Sequence, residues 1–125
     1  MAASTWARLT AGLDAEDLAK LAAFRDFCRS LPGVEERIHS ADITFARARS
    51  FASAYIKNHY LELGIELTRE VTDPAPRTAF PTTKTVIMHR YSLRELSAFD
   101  DRLRDLIREA ADTVGPGARV PRTRR

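Results

Sequence analysis

One cysteine, five glycines and three histidines occur among the 125 residues, and each scarcity closes off a class of protein. A lone Cys28 excludes an intrachain disulfide framework and fits a reducing compartment. The glycines are dispersed, so no Gly-rich loop is present to cradle a phosphate. His39, His59 and His89 stand far apart, with no Cys-x-x-Cys or His-Glu-x-x-His spacing. The sequence therefore carries no metal motif and no cofactor signature, and leaves open only a site assembled by tertiary contact. There is no Gly-x-Ser-x-Gly elbow to expose a nucleophile. No apolar run approaches the roughly 20 residues of a membrane span, and the stretch from Met1 to Leu9 lacks the basic start and apolar core of a secretory signal. The expectation is a cytoplasmic protein with no membrane partner.

What remains is ordinary for a globular chain: 44% apolar and 30% charged residues, and a length suited to one domain. The net charge of +3 is unevenly placed. Residues 116–125 hold Arg119, Arg122, Arg124 and Arg125 and no acid; taking those four from the 20 basic side chains leaves 16 against 17 acidic ones, or −1 for residues 1–115. The basic excess belongs to the tail. Arginine outnumbers lysine throughout, which reads as composition rather than as a phosphate-binding face.

Periodicity orders the rest. Residues 1–13 are weakly patterned and are expected to be weakly ordered. From Asp14 to Leu31, Leu21, Phe24, Phe27, Cys28 and Leu31 recur at helical spacing, with acids at the start and Pro32-Gly33 as the stop. Cys28 on that apolar face reads as a buried structural thiol. Weak and then stronger strand signals follow at Glu36–Ser40 and Ile43–Arg47. Two alternating strands then flank Asn58-His59 as a two-residue turn, pairing Lys57 with Tyr60, Ile56 with Leu61, Ala54 with Leu63 and Ala52 with Ile65. Residues 72–83, broken by Pro74, Pro76 and Pro81, read as a loop. A last strand over Thr85–Tyr91 precedes a helix that Ser92-Leu93-Arg94-Glu95 opens as a capping box and Gly115 ends in a left-handed conformation. The class is α+β: a mainly antiparallel sheet of four or five strands with two long helices on one face, spanning residues 14–115, followed by a disordered basic tail.

The hairpin register leaves a second sheet face carrying Phe51, Ser53, Tyr55, Lys57, Tyr60 and Glu62. If the last strand points the same way, it adds His89 and Tyr91. Arg47, Arg49 and Arg77 lie at the edges of this face. Aromatic walls with basic rims suit a small anionic or planar ligand. The plainer alternative is that Trp6 and Leu9, or a second copy in a homodimer, cover these aromatics.

Several short motifs carry a resemblance. Asp42-Ile43-Thr44-Phe45, Arg49-Ser50-Phe51-Ala52, the leucine-rich strand Leu61–Leu67, Pro76-Arg77, His89, and the helix from Asp101-Arg102-Leu103-Arg104 to Glu109-Ala110 resemble an uncharacterised family of small bacterial α+β domains. That family is a domain of unknown function sometimes attached to nuclease-like or transport-annotated partners. Its looser relatives are the YdhG-like and MmcQ/YjbR-like domains, for which DNA binding has been proposed. The resemblance implies the fold, supplies no activity, and directs attention to Phe45, Arg49, Phe51, Arg77 and His89.

Three readings follow. The first is a non-catalytic binding domain, dimeric, using Phe45, Arg49, Phe51, Tyr55, Arg77, His89 and Tyr91. The second is nucleic-acid binding through Arg47, Arg49, Lys57 and the tail arginines Arg119, Arg122, Arg124 and Arg125. The third is a small hydrolase or transferase around His89 and Arg77.

Overall fold

The structure, a computed structural model, describes residues 4–117. The order along the chain is α1 (Trp6–Leu9), α2 (Ala15–Arg29), β1 (Glu35–Ile38), β2 (Ile43–Ala46), β3 (Ser50–Lys57), β4 (Tyr60–Leu67), β5 (Thr78–Pro81), β6 (Ile87–Leu93), a 3₁₀ turn (Leu96–Ala98) and α3 (Asp101–Thr113). Six strands form one antiparallel sheet in the order β1-β2-β3-β4-β6-β5. The expected α+β class holds, with six strands rather than four or five and three α-helices rather than two.

The helices start where side chains can satisfy free amides. Asp14 accepts from the Asp17 amide at 2.9 Å and Asp100 from the Leu103 amide at 3.2 Å; Thr5 does the same for the one-turn α1. The expected capping box at Ser92 does not form. Ser92 is still in β6, where its hydroxyl is held by cross-strand partners, and α3 begins later. Gly115 also differs from expectation: its φ is not left-handed, and glycine is needed there because a Cβ would lie 2.2 Å from the Ala111 carbonyl oxygen. The extra strand β5 falls inside the Pro-punctuated segment. It is an edge strand, where Pro81 forfeits no ladder bond that a neighbour requires.

The hairpin forms in the expected register, from Lys57 opposite Tyr60 to Ala52 opposite Ile65. Asn58 and His59 take φ of +52° and +66°, the left-handed pair a two-residue turn requires. Ala52, Ala54, Leu61, Leu63, Ile65 and Leu67 are buried on one face, under α2 and α3. Phe24 anchors this layer, meeting Phe45 edge-on at 5.6 Å and Phe99 at 6.4 Å. Cys28 is fully buried among them, and its burial pushes the thiol well above its ordinary pKa, so it stays protonated.

One residue breaks the alternation. Ala46 pairs with Ser50 and Phe45 with Ala52, leaving Phe51 as the extra residue of a bulge. Phe51 and Ala52 then both turn toward the helices, and Phe51 is fully buried. Burying a phenylalanine stabilises by about 2–3 kcal/mol, more than the roughly 1 kcal/mol of a lost ladder bond.

Candidate functional site

The face opposite the helices carries Thr44 on β2, Ser53, Tyr55 and Lys57 on β3, Tyr60, Glu62, Gly64 and Glu66 on β4, Met88, Arg90 and Ser92 on β6, and Thr78 and Phe80 on β5. The N-terminal segment does not supply the expected cover. Trp6 lies in the helical layer, with the Arg25 guanidinium 4.2 Å from its ring centre.

Three of the aromatic positions expected on this face are elsewhere. Phe51 turns inward at the bulge. His89 is opposite Ile65, and Tyr91 opposite Leu63, so both point toward the helices. Phe45, singled out by the resemblance, is fully buried as well. His89 spends both ring nitrogens on backbone: the Val71 amide donates to Nε2 at 2.9 Å and Nδ1 meets the Ile87 carbonyl at 3.1 Å. Tyr91 donates to the Pro74 carbonyl at 2.9 Å, and burial raises its phenol pKa. His89 and Tyr91 thus fasten the 71–74 segment to the sheet. His89 and Arg77 lie on opposite sides of the sheet, so they do not form a joint site.

The arginines divide similarly. Arg47 donates to the Pro32 carbonyl at 3.0 Å, the Ala111 carbonyl at 3.0 Å and Asp112 at 2.9 Å. It is a clamp between the α2–β1 turn and the C-terminal end of α3, where a cation suits the exposed carbonyls. Arg49 donates to Glu66 at 2.8 Å. Arg119, Arg122, Arg124 and Arg125 lie outside the described residues.

Tyr55, Lys57 and Arg77 do come together. With Asn58, Tyr60, Glu62 and Ser92 they line a shallow depression of about 470 Å³. Its floor is a hydrogen-bonded chain: Arg77 Nε donates to Ser92 Oγ at 2.8 Å, and the Ser92 hydroxyl donates to Glu62 Oε1 at 2.7 Å. Arg77 and Ser92 also line a second depression of about 420 Å³, toward Pro74, Tyr91 and Arg102. The acids of the face are each matched, Glu62 by Arg77 and Glu66 by Arg49. That leaves Lys57, Arg90 and Arg94 without a carboxylate partner among the described residues. Arg94 stacks over Tyr60 at 5.6 Å and Arg90 over Phe80 at 5.5 Å. The surface is thus aromatic with uncompensated positive charge. Phe80, Arg90 and Arg94 were not singled out from sequence, because the facing of β5 and β6 depends on pairings between distant segments.

A second cluster was also invisible in the sequence. Asp17 and Lys20, both nearly fully buried, pair at 3.1 Å, and His59 Nδ1 lies 2.8 Å from the other Asp17 oxygen. The Lys20 ammonium also donates to the His59 carbonyl at 2.5 Å and the Arg94 carbonyl at 2.8 Å. Burial alone would raise the Asp17 pKa, but the hydrogen bonds from His59 and Lys20 outweigh it and hold the carboxyl low. Asp14, Asp17 and His59 bring ligand atoms within 4.8 Å of one another, close enough for a divalent cation. Lys20 already balances the charge of Asp17, however, and would repel a second cation beside it.

Among the described residues no helix is long and apolar enough to cross a membrane. No curated protein and no solved structure matches the chain. The family comparison does find a match over residues 10–114, most of the folded body, and by it the chain belongs to the domain of unknown function DUF5655.

Proposed function

We propose that this domain is a non-catalytic binding module that takes a planar, anionic ligand on its open sheet face. The observation that carries this reading is the depression walled by Tyr55 and Tyr60 and edged by Lys57 and Arg77. The one carboxylate lining it, Glu62, is already paired with Arg77. An aromatic plane entering the depression stacks on a tyrosine, and its anionic group meets Lys57 in place of water. Arg77 keeps donors to spare, since Ser92 and Glu62 engage only Nε and one terminal nitrogen.

The test is amide NMR during titration with naphthalene sulfonate, a planar anion. The reading predicts saturable shifts confined to Lys57, Asn58, Tyr60, Glu62 and Ser92, weakened at least threefold in Arg77→Gln. Shifts spread over the helical layer, or none, would contradict it.

A further inference from the structure

The open face is more extended than one small ligand requires. Tyr55 on β3 and Phe80 on β5 are three strand spacings apart, about 14 Å, and four residues apart along the strands by register, about 13 Å. The diagonal is roughly 20 Å, several times the rise of about 3.4 Å per nucleotide along one strand of B-DNA. Each end holds an aromatic ring beside a cation: Tyr60 under Arg94, and Phe80 under Arg90. Between them Gly64, opposite both Ser53 and Arg90, is buried, and the side chains of Met88 and Ser53 close over the place a Cβ would take. A Cβ there would come within 3.1 Å of Met88 Sδ.

From this layout, and resting on the reading that the open face is the binding surface, we infer that it binds single-stranded nucleic acid laid diagonally across the sheet. The charges are complementary: Lys57, Arg90 and Arg94 are the cations left over once the acids are paired, and a phosphodiester backbone supplies anions along the same line. Rings accessible on a sheet stack on unpaired bases, whereas bases inside a duplex are already stacked on each other. A lone planar anion would use Tyr55 and Lys57 and leave the Phe80–Arg90 pair without a role.

The test is fluorescence anisotropy of the full chain with labelled single-stranded DNA and RNA of about twelve residues, the matching duplex, and a mononucleotide competitor. Single strands of either sugar should bind, with a log–log salt slope near about −2 for three neutralised phosphates. Tyr55→Leu and Phe80→Leu, each checked for cooperative melting, should weaken binding about tenfold. The double change Lys57→Gln with Arg90→Gln, also checked for cooperative melting, should flatten the slope by about 1.4. Equal affinity for duplex, or competition by mononucleotide as effective as by strand, would overturn the inference. So would binding that ignores both rings and disappears only when Arg119, Arg122, Arg124 and Arg125 are changed to Gln. Loss of strand binding in Tyr55→Leu with none in Phe80→Leu would also overturn it while sparing the broader reading. Failure of both strands and naphthalene sulfonate to engage the face would refute the two together.

Discussion

Replacing Lys20 with methionine removes the ammonium that joins α2, the hairpin turn and the end of β6, while keeping most of the buried stem. The wild-type ammonium has three acceptors: Asp17 Oδ1 at 3.1 Å and the carbonyls of His59 and Arg94. Without it, a carboxylate that is 4% exposed keeps only His59, and the Lys20 bonds to two carbonyls are lost. Breaking one side of a buried pair costs about 3–5 kcal/mol, because the survivor is left charged in a medium that solvates it poorly. At this chain length that is roughly a 10–20 °C fall in Tm. Urea unfolding of Lys20→Met should show the loss at unchanged m-value. The double variant Asp17→Leu with Lys20→Met should recover much of it, since an apolar replacement leaves no orphan charge. A loss under about 1 kcal/mol, or a double variant as unstable as the sum of the singles, would refute the buried-pair account.

Acid should unfold the domain through three carboxyls held below their ordinary range: Glu36 by the hydrogen bond from Arg25, Glu109 by that from Arg69, and Asp17 by His59 and Lys20. Their contribution is present above about pH 4 and falls away as pH drops through the lowered folded-state values; Glu36→Gln should lower stability at neutral pH and flatten that acid limb in a pH series of melts. His89→Leu leaves the Val71 amide without its acceptor and should cost about 1–3 kcal/mol in urea unfolding while leaving binding on the open face unchanged; altered affinity there would revive a functional His89. Gly115→Ala places a Cβ on the Ala111 carbonyl and should destabilise by about 1–3 kcal/mol, against a few tenths if the turn relaxes freely.

The hairpin was legible because a two-residue turn leaves only one register, and its apolar alternation agrees with that register. Phe51 was misplaced for the complementary reason: a bulge adds one residue and reverses the alternation, and nothing local in Arg49-Ser50-Phe51-Ala52 announces it. His89 and Tyr91 were misread because their facing follows from Leu67 pairing with Ile87 across a 20-residue separation. The Ser92 box is a valid local signal that lost to Glu62 and Arg77 as partners. Tyr55, Lys57 and Arg77 do come together around one depression, while the placing of Arg94, Arg90 and Phe80 required the sheet order. The Asp17–Lys20–His59 cluster joins positions about forty residues apart in the chain, beyond any motif reading.

The central claim is that binding resides on the open face and not on the arginines that clamp the fold. Single-strand affinity measured side by side for Tyr55→Leu, for Lys57→Gln with Arg90→Gln, and for Arg47→Gln decides it most directly. The account predicts at least tenfold weakening in the first two and, at a temperature where all variants are folded, wild-type affinity in Arg47→Gln. Retained binding in the face variants with loss in Arg47→Gln would contradict it.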